Sequence, residues 1–228
     1  LRGDGTLSGR IRLRSGPEVP RIDGRLIARH VNIDWGRLEL KDLDGEIPFT
    51  NTPGSPVRTT LTWKDLRFKT FSLGEQKLNL TAENNVLRVD APILFTCWRG
   101  EWRLENLTFD RLLSGPLAID AALHAEGVAF QDFCSLFNAK TPPPGSVRLH
   151  HPHLRFQGKT LTLDGETVFS VFSGQVLLHK FSVIEMDDPD LLSYRFRFTS
   201  SDLRLDRITQ AITDYGLITG EIDASGWI

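Results

Sequence analysis

Apolar and polar residues alternate along most of this chain with the period of a β-strand. Segments such as "RIRLRS" (10–15), "KLNLTA" (77–82) and "YRFRFTS" (194–200) place an apolar side chain at every second position. Such alternation is typical of strands with one buried face. The segments recur at short, regular intervals, with turn sequences such as Asp164-Gly165 between them. The pattern predicts an all-β protein.

Two short stretches show helical spacing instead. "QDFCSLFNAK" (131–140) groups its apolar side chains on one side, and "DRITQAITDYG" (206–216) ends at a glycine, as helices commonly do. Both are predicted to be short amphipathic helices at an end or edge of the sheet. The proline-rich segment 141–145 predicts a linker and therefore a sub-boundary. Residues 1–228 otherwise read as one continuous β segment.

One pattern occurs three times. "GRLELKDL" (36–43), "GEWRLENL" (100–107) and "GQVLLHKF" (174–181) share a glycine, two apolar residues at strand spacing, two polar residues and a further apolar residue. The last apolar residue is displaced by one position from strict alternation, which predicts a β-bulge that bends the strand. The glycine is predicted to permit a tight turn or a bulge before each strand.

A sheet that bends in the same way at each repeat becomes a trough. The predicted fold is therefore an elongated, curved, open sheet, rich in antiparallel pairs, with a groove-like or taco-like shape and two short helices. The alternative that alternation leaves open is a closed β-sandwich, in which the same apolar residues fill a core. Because the chain offers few elements to cover so many strands, the groove is the preferred prediction.

The residues predicted to line the groove are the large apolar ones at the alternating positions of the repeats. They are Trp35, Leu38, Leu40, Leu43, Trp98, Trp102, Leu104, Leu107, Phe109, Phe172, Val176, Leu178, Phe181 and Val183.

Composition and charge narrow the range of partners. The formal net charge of the 228 residues is −2, so no basic field is available to attract nucleic acid. No apolar run approaches the ~20 residues of a membrane-spanning helix. The first residues resemble neither an initiator segment nor a signal peptide, and the last resemble an interrupted strand. We therefore expect the chain to be part of a longer polypeptide whose membrane anchor lies elsewhere.

No cofactor, metal site or catalytic centre is predicted. "HHPH" (150–153) is interpreted as a surface histidine cluster because no third metal ligand lies near it. "EMDDPD" (185–190) lacks the glycine and distal glutamate of a calcium loop. The chain contains no P-loop, nucleophile elbow or zinc-protease motif, so an enzyme is not expected. Cys97 and Cys134 match no metal spacing and are interpreted as two separate thiols, and the alternative is a bridge between them in an oxidising compartment.

Three segments resemble the AsmA-like family of bacterial envelope proteins, which includes TamB- and YdbH-type proteins. They are "ARHVNIDWGRLELKDLDGEI" (28–47), "FSGQVLLHKFSV" (172–183) and "DLRLDRITQAITDYGLITGEI" (202–222). The resemblance implies a long, twisted β-groove with an apolar interior. It also implies a location in the periplasm of a Gram-negative bacterium, with the full-length protein anchored in the inner membrane.

The function implied by the resemblance is lipid transport between the two membranes. Acyl chains of phospholipid would lie in the groove while their headgroups remain in water. Two alternatives from other classes stay open. One is a structural or assembly module of the envelope whose groove holds a β-strand of a partner protein. The other is a closed β-sandwich that binds glycans through exposed aromatic residues.

Overall fold

A computed structural model describes residues 2–15, 20–36, 38–68, 71–134, 143–184, 193–204, 207 and 221–227. Sixteen strands and one helix lie in these residues. The first eight strands are β1 (Arg2–Arg14), β2 (Arg21–Trp35), β3 (Leu38–Thr50), β4 (Val57–Trp63), β5 (Asp65–Phe68), β6 (Phe71–Ser72), β7 (Gln76–Glu83) and β8 (Val86–Val89). The other eight are β9 (Ile93–Cys97), β10 (Gly100–Asp110), β11 (Ala118–Ala129), β12 (Gly145–Gln157), β13 (Thr160–Val171), β14 (Gly174–Ile184), β15 (Ser193–Arg204) and β16 (Glu221–Trp227). The helix is α1 (Phe130–Cys134).

All strands belong to one antiparallel sheet, which confirms the predicted all-β class. The main order is β1-β2-β3-β4-β7-β8-β10-β11-β12-β13-β14-β15-β16. Three short strands leave this path: β5 pairs with β3 and β6, and β9 pairs with β10. Most neighbours in the sheet are also neighbours in sequence, since short turns join antiparallel strands directly.

The chain divides into two compact units. Unit 1 comprises Leu1–Phe95 and Leu104–Ala121, and unit 2 comprises Thr96–Arg103 and Ala122–Ile228. The limits fall within β9, β10 and β11. Of the predicted linker at 141–145, residues 141 and 142 lie outside the described residues and Gly145 begins β12, so the linker stays a prediction. None of the helices in the described part of the chain has the length and apolar character needed to cross a bilayer.

Alternation of apolar and polar residues also predicts single strands over 58–68 and 85–95, and both predictions are wrong in their extent. Residues 58–68 form β4 and β5, with a break at Lys64, whose backbone N–H donates to the carbonyl of Lys41. Residues 85–95 likewise form β8 and β9, because Pro92 lies between them and lacks the N–H that a continuous ladder needs. The first predicted helix is found as α1, over its first turn. The second, over 206–216, lies outside the described residues apart from Arg207.

The repeats contain the predicted bulges. In β14 the register with β15 shifts between Leu178 and Lys180, which confirms the bulge that the sequence indicated. In the first repeat, Asp42 occupies the position that corresponds to Lys180. It has φ +51° and lies where the register between β2 and β3 shifts. Asn106 occupies it in the second repeat, with φ +53°. Asparagine and aspartate tolerate this left-handed conformation better than other non-glycine residues.

The glycines of the repeats serve a different purpose from the predicted one in two copies. A Cβ atom on Gly100 would lie 2.5 Å from Cγ2 of Val128, and one on Gly174 would lie 2.5 Å from the carbonyl oxygen of Ser201. These glycines allow a close approach of neighbouring backbone. The turns before them are made by two non-glycine residues with positive φ, as in type I′ hairpins.

Gly174→Ala should therefore destabilise the fold by about 1–3 kcal/mol, the usual range for overpacking. The added methyl group would meet backbone atoms of β15, which cannot rotate away. Gly9→Ala is the matched control, since a Cβ there would lie 3.4 Å from a side-chain methyl group of Leu26. Urea denaturation of both variants measures the difference, and equal midpoints would refute the close-approach interpretation.

Candidate functional site

One face of unit 2 is apolar across four adjacent strands. Directly paired residues of an antiparallel ladder project to the same side of the sheet. Register pairs Phe169 with Val176, Phe181 with Phe196, and Leu178 with Phe198. We call this side the unit 2 apolar face. Its members are Val147, Leu149, Leu154, Phe156, Leu161, Leu163, Phe169, Val171, Val176, Leu178, Phe181, Val183, Phe196 and Phe198.

Two bulges keep this face apolar. In β12 the register shifts between His150 and His153, and in β14 it shifts between Leu178 and Lys180. Each bulge changes which alternate residues face the apolar side, and the sequence changes its alternation at the same points. Without the shift in β14, Phe181 would face the opposite side from Leu178. The bulges and the apolar pattern therefore agree.

Aromatic rings lie side by side on the unit 2 apolar face. The ring centroids of Phe181 and Phe196 are 6.5 Å apart, and those of Phe196 and Phe198 are 6.3 Å apart. All three side chains are half-buried. Rings at these distances shield one another and leave part of each surface accessible. The face is thus apolar throughout, with partly accessible rings at Phe181, Phe196 and Phe198 and buried side chains at Val147, Leu149, Val171 and Val183.

The opposite face of the same strands is mainly polar. His179 Nε2 lies 3.0 Å from Oγ1 of Thr199, and Lys180 Nζ lies 3.9 Å from a carboxylate oxygen of Asp164. Gln175 is exposed on the same side. A sheet with one polar and one apolar side normally covers its apolar side with a second layer. In the described part of unit 2, all strands pair within one sheet. On its apolar side, α1 contributes an edge-on ring contact of Phe130 with Phe169 at 5.8 Å.

Unit 1 differs because it contains a closed cluster of buried side chains. Its members are Leu61, Trp63, Leu78, Leu80, Ala82, Leu87, Val89 and Ile93. Five of the predicted groove residues pack against this cluster, namely Leu40, Leu43, Leu104, Leu107 and Phe109. They are half-buried. Their packing makes them part of the unit 1 core rather than an independent surface.

The apolar side of unit 1 becomes exposed at its first strand. Leu7, Ile11 and Leu13 of β1 are 65–69% exposed. Register pairs Leu7 with Ala28, and Ala28 is 2% exposed. The three side chains therefore project on the side that is buried further along the sheet. Alternation in residues 7–13 was the sequence signal for this strip.

The fourteen predicted groove residues are divided between the units. Unit 1 contains Trp35, Leu38, Leu40, Leu43, Leu104, Leu107 and Phe109, and unit 2 contains Trp98, Trp102, Phe172, Val176, Leu178, Phe181 and Val183. Of the unit 2 group, the four on β14 share the unit 2 apolar face. Trp35 ends β2 and is 68% exposed, whereas Leu38 begins β3 and is half-buried.

Three of the predicted aromatic residues do not belong to the unit 2 apolar face. Trp98 and Phe172 have φ values of +50° and +52° and lie in hairpin turns, so their assignment to alternating strand positions is wrong. A two-residue type I′ turn needs positive φ at both central residues, whatever their size. Trp102 is buried, and its indole N–H donates to the carbonyl of Cys97 at 3.1 Å.

Sequence reasoning missed most of the unit 2 apolar face outside β14. Residues such as Leu154, Phe156, Leu163 and Phe196 alternate as regularly as those in the repeats. These residues lie outside the three copies of the repeat, so the repeat does not identify them. The register between strands does. The sequence signal for these residues is the alternation of apolar and polar side chains within each strand.

A polar cluster lies at the bulges of unit 1. Nδ1 of His30 lies 2.7 Å from Oδ1 of Asp42 and 3.0 Å from Oδ2 of Asp44. Nζ of Lys64 lies 2.6 Å from Oδ2 of Asp42. The hydrogen bond with Asp42, followed by the charges of Asp44 and Asp42, raises the pKa of His30 above its ordinary value. The hydrogen bond with Lys64 and then that with His30 lower the pKa of Asp42.

Histidine and carboxylate are ligand types that divalent metals use, and these three side chains are close enough to share one ion. However, the ammonium group of Lys64 already occupies Oδ2 of Asp42. The carboxylate of Asp44 also accepts a hydrogen bond from the backbone N–H of His30 at 3.0 Å. His30 itself has a φ of +49°. The cluster is therefore an ion-pair network that stabilises the bulge.

Asp42→Asn should lower the pKa of His30. The raised pKa means that the charged pair is present below the ordinary pKa of histidine and is lost as the pH rises through the raised value. NMR titration of the His30 ring protons measures the shift. Glu39→Gln is the control, because Glu39 pairs with Lys41 at 3.1 Å rather than with His30. An unchanged His30 pKa in Asp42→Asn would contradict this description.

The remaining candidate side chains are the histidines of segment 150–153 and the two cysteines. His153 is exposed at the bulge of β12. The side chains of the two preceding residues are not described. Cys97 and Cys134 are both thiols, as the sequence indicated. Burial raises the pKa of the Cys134 thiol, which disfavours the reactive thiolate.

Comparison with known proteins identifies no relative of this chain. No family model, no curated protein and no solved structure matches it.

Proposed function

We propose that this chain binds the acyl chains of lipids on an apolar β surface, as one segment of a conduit that carries phospholipid between membranes. The observation that supports the proposal is the unit 2 apolar face. Its aromatic and aliphatic side chains extend across β12–β15 within one sheet, and ten of the fourteen are half-buried, whereas Val147, Leu149, Val171 and Val183 are buried. Exposed apolar surfaces of this extent in soluble proteins generally mark binding sites.

The physical benefit of such a surface is large. Transfer of an acyl chain of about sixteen carbons from a membrane into water costs roughly 12 kcal/mol, at ~0.8 kcal/mol per methylene group. Contact with an apolar sheet removes much of this barrier. Strand β14 has 11 residues and spans about 36 Å at ~3.3 Å per residue. One leaflet contributes about 15 Å of a ~30 Å hydrocarbon core, so a single strand is long enough for an acyl chain.

The surface also explains the lack of a specific polar site. Acyl chains offer no hydrogen-bonding groups, so their binding needs no precisely placed donors. The headgroup would remain in water beyond the sheet. The same proposal includes the groove-like curvature that this mechanism requires. It also includes the absence of catalysis.

The proposed setting follows the resemblance to AsmA-like proteins. In that setting, the chain is periplasmic in a Gram-negative bacterium, and an anchor elsewhere in the full-length protein holds it at the inner membrane. The repeated strand–bulge units would continue the apolar surface along the molecule. Phospholipid is the proposed ligand.

Native mass spectrometry of protein purified without detergent tests the proposal. We expect adducts with the masses of phospholipids, released at higher collision energy. The same measurement distinguishes the alternatives. A retained peptide would support an assembly module, and a protein free of both lipid and peptide after expression in cells with abundant phospholipid would contradict lipid binding. A soluble oligosaccharide array would detect the glycan-binding alternative.

A further inference from the structure

One hydroxyl group lies among the aliphatic and aromatic side chains of the unit 2 apolar face. Thr167 of β13 pairs with Leu149 of β12 on one side and with Leu178 of β14 on the other. Because directly paired residues project to the same side of the sheet, the Thr167 side chain lies on the apolar side. It is half-buried, so a ligand on this face can reach it.

Within the described residues, no group of the protein forms a hydrogen bond with the Thr167 hydroxyl. Water satisfies an accessible hydroxyl, but a ligand that covers the face removes that water. Covering Thr167 with methylene groups alone would leave a buried donor without an acceptor, which is unfavourable. The position therefore favours a ligand that carries a hydrogen-bond acceptor at this point.

The apolar face differs in the two directions along the strands from Thr167. In one direction, the ring of Phe130 on α1 contacts Phe169, the next residue of β13 on the apolar side. In the other direction, Gly165, which has no side chain, lies between Thr167 and Leu163. The row beyond it consists of four paired, half-buried side chains, namely Leu154, Leu163, Phe181 and Phe196. The more accessible apolar surface therefore extends from Thr167 away from α1.

The length of this surface suits one acyl chain. On β14, Val183 lies five residues beyond Leu178, the partner of Thr167. At ~3.3 Å per residue, this distance is about 16 Å, which is close to the ~15 Å that one leaflet contributes to the hydrocarbon core of a bilayer. The methylene groups of an acyl chain need no donor, but the ester at the head of the chain has a carbonyl oxygen that accepts a hydrogen bond.

We propose that the Thr167 hydroxyl donates a hydrogen bond to the ester carbonyl of a bound phospholipid and thereby sets the direction of its acyl chain. The chain would run from Thr167 along the strands, over Phe181 and Phe196, towards Leu161 and Val183. The headgroup would leave the face at Thr167 and remain in water. The role of Thr167 rests on the proposed function of the face, and it makes acyl esters better ligands than chains without a carbonyl group.

Competition between two lysophospholipids tests this role. Both probes have a phosphocholine headgroup and a chain of the same length, which is joined through an ester in one probe and through an ether in the other. Native mass spectrometry of the protein with an equimolar mixture, below the micellar concentration, counts the adducts of each. Ester adducts should exceed ether adducts about fivefold, as one net hydrogen bond implies. Equal adducts would overturn the role of Thr167 but not acyl-chain binding, whereas the absence of both adducts would contradict the proposed function itself and this role with it.

Variants at Thr167 test whether its hydroxyl causes the preference. Thr167→Val removes the hydroxyl and keeps a β-branched side chain, so ester adducts should no longer exceed ether adducts. Thr167→Ser keeps the hydroxyl and should retain the preference. Thr162→Val is the matched control, since Thr162 pairs with Ser182 on the opposite side of β13 from Leu161 and Leu163. A preference that persists in Thr167→Val, or that is lost to the same extent in Thr162→Val, would overturn the proposal.

The direction of the chain is tested with two ester probes that carry a diazirine at different ends of the acyl chain. A diazirine beside the carbonyl should label Leu178 and Phe198, which lie in the same row as Thr167. A diazirine at the methyl end should label Leu161 and Val183. The same labelling pattern for both probes, or the reverse pattern, would overturn the proposed direction.

Discussion

Phe181→Asp is expected to abolish retention of phospholipid while leaving the protein folded. The ring of Phe181 lies on the unit 2 apolar face, 6.5 Å from the ring of Phe196, and is half-buried. An unpaired carboxylate in contact with acyl chains is strongly unfavourable. Without lipid, water can hydrate the same carboxylate on this face. The loss of stability should therefore be about 1–2 kcal/mol.

Gln175→Asp is the matched control for this prediction. It introduces the same carboxylate on the same strand, on the opposite, polar side of the sheet. Lipid adducts counted by native mass spectrometry should vanish in Phe181→Asp and persist in Gln175→Asp. Thermal unfolding of both variants separates binding from stability. If Phe181→Asp unfolds outright, Phe181 belongs to a closed core, and the proposed binding surface is wrong.

Leu80→Ala is expected to have the largest effect on stability. Leu80 is 3% exposed and belongs to the buried cluster of unit 1. Its truncation should leave a cavity and lower the free energy of unfolding by about 2–5 kcal/mol. Urea denaturation followed by tryptophan fluorescence measures the change, and Trp63 of the same cluster contributes to the signal.

The control for Leu80→Ala is the same substitution at Leu94, which is 62% exposed. It should change the free energy of unfolding by no more than about 0.5 kcal/mol. Similar losses for both variants would show that the unit 1 cluster is not a close-packed core. The comparison tests whether the unit 1 cluster is closely packed, which is what distinguishes it from the half-buried rings of the unit 2 apolar face.

Leu104, one of the predicted groove residues, is a poorer position than Phe181 for a test of lipid binding. As a groove residue it would tolerate an introduced carboxylate when lipid is absent. Leu104 instead packs against the unit 1 cluster, so an aspartate there should destabilise the fold. Phe181 is the better position for testing lipid binding because it lies on the unit 2 apolar face.

The strands and one class of bulge were predictable from the sequence. Alternation indicates which residues can share a side of a sheet. The displacement of Phe181 from strict alternation indicates the bulge in β14 without knowledge of the register. Asp42 and Asn106 precede the displaced apolar residue in the other two repeats, and both have positive φ. These features are local, since a bulge must coincide with a change in alternation if the apolar face is to be kept.

The division into core and surface was not predictable. Leu43 and Phe181 occupy equivalent positions of the repeat, yet Leu43 packs against a buried cluster and Phe181 lies on the unit 2 apolar face. Alternation reports which side a residue faces but not what covers that side. The turn positions of Trp98 and Phe172 were also hidden, because bulky residues carry no propensity signal for positive φ.

The central claim is that acyl chains contact the unit 2 apolar face, and photo-crosslinking measures that contact directly. Phospholipid with a diazirine on its acyl chain would be incorporated, irradiated, and its attachment sites mapped by peptide mass spectrometry. The account predicts attachment at Leu178, Phe181, Phe196 and Phe198, and a loss of crosslinking in Phe181→Asp. Attachment confined to the polar side, at residues such as Gln175 and His179, or the absence of any attachment, would contradict it.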